Sequence, residues 1–147
     1  MEFNPTCSAS ARSNLAHNEW NVPIHIERQD RLSNSSTRAR ISPAALLVNV
    51  IDKIRDNCIL RENWTSATPG YTGTSHNFYN ANTKQWEQIW IDNQGSSLHL
   101  KGNREDNKMI LRTDEATNAQ GQPFYHRVTW TYNDDGTVRQ YWETITN

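Results

Sequence analysis

A chain of 147 residues with 15 basic and 16 acidic side chains, net charge −1, has the size of one ordinary domain. It has no charge excess to draw it to nucleic acid or an anionic membrane. Apolar residues make up 35%, roughly 39% once the six Gly are added, short of the about 45–50% usual for globular proteins with Gly included, so the core must be small. No apolar run approaches the ~20 residues of a membrane span, and no signal-peptide pattern is visible, which slightly favours a cytoplasmic protein.

Six Trp offset the small core. Five of them buried, at roughly 150–250 Å² each and about 25 cal/mol per Å², would contribute on the order of 20–30 kcal/mol as an upper bound. The two cysteines, Cys7 and Cys58, are too few for a disulfide framework and form no CxxC. Both are expected free, Cys58 on a strand and Cys7 in a loose tail.

In chain order, residues 1–42 are rich in Ser, Asn and Arg and have little periodicity. Trp20–Ile26 reads as one edge strand, since its Pro23 cannot donate to a central ladder. Arg28–Arg40 reads as a polar loop. From Pro43 onward, residues 43–147 form the predicted barrel domain. Short β-branched and aromatic runs recur there at intervals typical of a sandwich or barrel. Strands are predicted at Leu46–Ile54, Cys58–Thr65, Thr74–Tyr79, Gln85–Asp92, Ser97–Gly102, Lys108–Thr113, Phe124–Tyr132 and Thr137–Ile145. Asp56-Asn57, Asn80–Thr83, Asn93–Gly95, Asn103–Asn107 and Asn133–Gly136 supply turn residues between them. Connections this short suit antiparallel neighbours, because a parallel crossover needs a dozen residues or more. For Leu46–Ile54, strand is preferred over a helix capped by Ser42-Pro43. The expected fold is all-β: an up-and-down antiparallel meander of about eight strands forming a barrel whose closure is left open.

Period-2 alternation sorts each strand into two faces. The Trp-bearing faces also carry Glu62 (with Trp64), Asn77 (with Tyr79), Gln88 and Asp92 (with Trp86 and Trp90), His126 (with Trp130) and Gln140 (with Trp142). A dry core rejects such groups, since an unpaired buried amide costs roughly 1–3 kcal/mol. Two readings follow: polar residues at wet strand ends or paired with each other, or a cavity with aromatic walls and a few fixed polar groups. The second is preferred. An eight-stranded barrel has just enough room for one small ligand.

Several segments carry a family resemblance: Trp20-Asn21-Val22, Ile51–Ile54, Cys58–Trp64, Gly73–Tyr79, Trp86–Gly95, and Val128-Thr129-Trp130 through Arg139–Glu143. They resemble the uncharacterised bacterial DUF1579-type, lipocalin-like (calycin) β-barrels over about two thirds of the chain. The most specific parts are the Trp-x-x-x-Trp-x-Asp-Asn-x-Gly strand and turn and the Asp-Gly-x-Val-Arg-Gln-x-Trp-Glu hairpin. The resemblance implies a barrel and a ligand cavity but no activity. The segment Glu27–Pro43 departs from it. Members usually run past the last Trp-Glu with a further closing strand, whereas this sequence stops at Asn147. Closure by the N-terminal strand, an open sheet, and a second copy covering the edge are therefore all open, and a homodimer is as expected as a monomer.

The chemistry follows from these faces. Glu62 and Asp92 are the candidate catalytic acid/base pair, on the expectation that cavity burial raises their pKa values. Trp64, Asn77, Tyr79, Trp86, Gln88, Trp90, His126, Trp130, Gln140 and Trp142 are the candidate ligand-binding residues. His76, His99 and His126 lie on different strands without metal-ligand spacing, so no metal is expected. A single axial His, as in some lipocalin-like haem proteins, would be His126 or His99, but no cofactor is preferred. No nucleophile elbow or phosphate loop occurs. The expected function is binding of a hydrophobic or aromatic small molecule. The alternatives are an isomerase, cyclase or lyase working through a cavity carboxylate, and an interaction module dimerising through its open edge.

Overall fold

The computed structural model of the protein describes residues 24–26 and 48–146, apart from 57, 67–68 and 136–137. No helix occurs among them; they form one sheet of ten strands. The strands are β1 (Ile24–Ile26), β2 (Val48–Ile54), β3 (Ile59–Thr65), β4 (Thr72–Asn80) and β5 (Gln85–Asp92). They continue as β6 (Ser97–Glu105), β7 (Lys108–Arg112), β8 (Ala116–Thr117), β9 (Pro123–Tyr132) and β10 (Val138–Thr146).

Turn chemistry explains where the strands stop. After β4 the Asn80 side chain accepts the backbone N–H groups of Asn82 and Thr83, and Lys84 takes a left-handed backbone, φ 56°. After β5 the Asp92 carboxylate accepts those of Gln94 and Ser96. Between β7 and β9, Asn118 accepts those of Gln120 and Gln122. Asn and Asp fold back on their own backbone in this way.

The sheet order is β1-β10-β9-β7-β6-β5-β4-β3-β2, with β8 laid beside β9. Eight strands, β2 to β7 with β9 and β10, are antiparallel to their neighbours and curl into an open half-barrel. Gly102 is one place where the curl needs a missing side chain, because a Cβ there would collide with the Ile110 carbonyl of β7. Strands β1 and β2 approach within 8 Å but share no ladder. The concave face holds the core: Trp86, Leu100, Met109, Leu111, Val128, Trp130 and Val138 are buried, with Leu60, Tyr79, Leu98, Tyr132 and Trp142 packed on them.

The strand expected at Leu46–Ile54 is present over Val48–Ile54. Four expectations change. The N-terminal strand, described over Ile24–Ile26, pairs parallel to β10. It is far from β10 in sequence, so no hairpin forces it to run antiparallel. Its Trp20–Pro23 portion lies outside the described residues, as does the Arg28–Arg40 loop. The β6–β7 connector contracts to Asp106-Asn107, because Asp106 accepts φ 52° and Asn103 to Glu105 stay in the ladder. Among the described Trp only Trp86 and Trp130 are buried, so Trp burial is worth about 10 kcal/mol, less than half the anticipated sum. Finally, Cys58 is disulfide-bonded rather than free. The chain's other cysteine, Cys7, lies outside the described residues.

Candidate functional site

Alternation along β2 to β5 points Asn49, Ile51, Leu60, Glu62, Ser75, Asn77, Trp86 and Gln88 to the concave side. The register then brings them together. Glu62 stands opposite Ile51 on one side and Ser75 on the other, and Asn77 stands between Leu60 and Gln88.

Glu62 is 2% exposed. Asn49 Nδ2 donates to its Oε1 at 2.6 Å, Ser75 Oγ donates to Oε2 at 2.7 Å, and Gln88 Nε2 reaches Oε2 at 3.4 Å. The Ser75 hydroxyl also accepts Asn77 Nδ2 and Gln88 Nε2, each at 3.0 Å, so its one proton and both lone pairs are used. Every partner of Glu62 is neutral. Burial therefore dominates and pushes its carboxyl above the ordinary range, against the lowering effect of the Ser75 and Asn49 hydrogen bonds. Three buried polar atoms around this network lack a partner: Asn49 Oδ1, Gln88 Oε1 and Trp86 Nε1.

Beside Glu62 lies a cavity of about 50 Å³, open on one side and lined by Ile51, Leu60, Glu62, Asn77, Trp86, Met109, Leu111 and Trp130. Its walls come from β2 to β5 and from β7 and β9, so the curl of the sheet creates it. The volume accommodates a few water-sized groups, far below the ~300–1,000 Å³ of sites that enclose a drug-sized ligand.

Of the residues expected to bind a ligand, Asn77, Trp86 and Trp130 line this cavity, as does Glu62 of the acid/base pair. The others lie outside its lining. Gln88 is buried behind it, bonded to Ser75. Tyr79 packs edge-on against Trp86, with ring centroids 6.0 Å apart. Trp64 and Trp90 form an edge-to-face cluster with Tyr71 at the far end of the strands, at 5.2 and 5.7 Å. Gly73 makes room for it, since a Cβ there would occupy the Trp90 ring. His126 bonds Thr144 Oγ1 at 3.0 Å and packs against Phe124 and Trp142; burial holds it below the ordinary imidazole range. Gln140 is half-buried opposite Trp130.

Asp92 is the clearest correction. Its carboxylate accepts Ser96 N at 2.9 Å, Gln94 N at 3.0 Å and the Tyr71 hydroxyl at 3.2 Å. The Ser96 backbone bond leads in holding its pKa below the ordinary value. It is a turn-forming carboxylate, not a cavity acid. Its place at the head of Asp92-Asn93-Gln94-Gly95 carried that signal in the sequence.

His76 and His99 lie on the convex face and His126 on the concave one, so the three do not converge. Among the described residues no group of three or more His, Cys, Asp or Glu is placed to hold a metal. His99 instead bonds Glu87 at 2.8 Å. Ile51, Leu60, Met109 and Leu111 of the lining were not singled out from sequence, nor was Asn49, although alternation along β2 places Asn49 and Ile51 on the face of Glu62.

No protein-family model, curated protein or solved structure matches this chain. What the site does must follow from its own geometry.

Proposed function

We propose that the concave face binds a small, largely apolar molecule, one end of which enters the cavity while the remainder lies along its open side. The observation that carries this reading is the pairing of an apolar wall, Ile51, Leu60, Met109, Leu111 and two indoles, with one buried carboxyl held on a fixed polar network. Few oriented polar groups in an apolar concavity are the usual composition of a small-molecule site. The lipocalin-like resemblance of Trp86–Gly95 supports the same reading at the level of fold. Because Trp86 and Trp130 line the cavity, titration with a library of small aromatic and aliphatic compounds is expected to quench or shift Trp emission. Replacing Trp130 by Phe is expected to remove most of that response. Unchanged emission with every compound, together with a crystal structure whose cavity holds only water, refutes the reading.

A second reading has its own observation. A carboxyl held protonated above its ordinary range beside a cavity is suited to general acid catalysis. If the bound compound is turned over, Glu62→Gln is expected to abolish turnover even at saturating compound. An active Glu62→Gln variant removes this reading.

A further inference from the structure

The nature of the buried network narrows the chemistry of the ligand. A buried carboxylate without a cation is costly, and it either keeps a proton or acquires a positive partner. The charged and titratable groups that share the concave face with Glu62 are Lys53 on β2, Tyr79 on β4, Asp92 on β5, Arg104 on β6, and His126 and Tyr132 on β9. Strand β7 contributes only Met109 and Leu111. Among the described residues none of these forms an ion pair or hydrogen bond with Glu62. The neighbouring Arg61 points to the other face and is bonded to Asp52 at 2.7 Å.

Asn49 and Gln88 turn their amide N–H groups to the Glu62 carboxylate, and neither lines the cavity. The acceptor that the network presents to the cavity is the Glu62 carboxyl itself. A primary ammonium carries three donors and no acceptor. Two indoles, Trp86 and Trp130, line the same cavity, and aromatic faces attract a desolvated cation. The cavity's size fits an ammonium and its adjoining carbon, but not a whole aromatic compound. The Trp86 N–H, a donor, takes no part in holding the ammonium.

We propose that the ligand of this cavity is a primary amine, whose ammonium group pairs with the Glu62 carboxylate between Trp86 and Trp130 while its apolar remainder extends over the open side.

This proposal rests on the small-molecule reading above and adds the charge of the ligand's buried end. It also specifies a proton balance. In the free protein burial favours protonated Glu62. Amine binding expels that proton to solvent and leaves a carboxylate–ammonium pair, so no charge is left unbalanced. Affinity therefore rises with pH through the range in which free Glu62 holds its proton and the amine stays charged.

The test is calorimetric titration of the full chain with 2-phenylethylamine, 2-phenylethanol and phenylacetate, at about pH 8 and about pH 5. Two buffers of different ionisation enthalpy report proton release. The amine is expected to bind about tenfold or more tightly than the alcohol at the higher pH, to weaken at the lower pH, and to release more protons at the lower pH. Phenylacetate is expected not to bind. Glu62→Gln is expected to bind amine and alcohol alike. Equal binding of amine and alcohol by the wild-type chain without proton release overturns the amine proposal and leaves the small-molecule reading intact. Binding of phenylacetate in preference to the amine also overturns it. No binding of any compound, with Trp emission unmoved, overturns both. The wild-type comparison needs no variant, so a poorly folding Glu62→Gln does not blunt the test.

Discussion

Two carboxylates, Glu62 and Glu87, sit on opposite faces of the same region of sheet, and both are buried, at 2% and 6% exposure. Their titration goes in opposite directions. Glu62 on the concave face meets only neutral donors, and burial raises its pKa. Glu87 on the convex face is also pushed up by burial, but hydrogen bonds from His99, Asn80 and Thr83 outweigh it and hold the carboxyl below its usual value. His99 Nε2 lies 2.8 Å from Oε2, and Asn80 Nδ2 donates to Oε1 at 2.8 Å. The balance of burial against hydrogen bonding sets the direction: burial wins around Glu62, whereas around Glu87 three hydrogen bonds win and the charge of His99 adds the smallest part. The convex Glu87 is already paired, whereas the concave Glu62 is left wanting a cation beside a cavity.

The contrast can be broken at several points. The largest effect is expected from Ser75→Ala, which removes the donor to Glu62 and the acceptor of the Asn77 and Gln88 amides. Urea unfolding should show a loss of about 2–3 kcal/mol. A loss below about 0.5 kcal/mol would mean that the network is not the organising feature of the concave face. Next, Gly73→Ala sets a methyl where the Trp90 ring lies and should cost about 1–3 kcal/mol in the same assay.

Glu87→Gln should cost about 1 kcal/mol near neutral pH, modest because His99 is half-exposed. A carboxyl whose folded pKa is depressed stabilises above its unfolded pKa, and that contribution is lost as pH falls through the folded value. The deficit of this variant should therefore vanish in strong acid. Glu62→Gln should show the opposite profile. A carboxyl with a raised folded pKa contributes stability below its unfolded pKa and loses it as pH rises through the folded value. Thermal melts should find this variant gaining on the wild type as pH increases from acid towards neutral. Parallel curves for the two variants would erase the distinction between the faces. Smallest in energy but simple to read, thiol titration of the unreduced protein should find no reactive sulfur at Cys58.

Much of this was legible in the residues. All eight antiparallel strands lie where alternation and turn chemistry put them, with ends displaced by only a few residues. The face of Glu62, Asn77, Trp86 and Trp130 is the one alternation assigned. Less legible was which members of that face meet. Trp64 and Trp90 share it with Trp86 but stand near the opposite end of their strands, where Tyr71 and Gly73 complete a separate cluster. Asp92 looked like an inward acid because it falls in phase with Trp90, yet the turn it begins claims its carboxylate first. Nothing in the alternation singled out Glu87, which falls out of phase with Trp86, yet Asn80, Thr83 and His99 bond its carboxylate.

What the sequence determined by itself was local: which residues extend, where they turn, and which side each faces. These depend on backbone preferences and on neighbours within a few positions. The parallel seating of β1 on β10, the curl that brings Ile51 of β2 and Trp130 of β9 to one cavity, and the unlike surroundings of Glu62 and Glu87 were decided only by the tertiary structure. Each depends on partners far apart in the chain, whose meeting is set by strand register and sheet curvature rather than by any one segment.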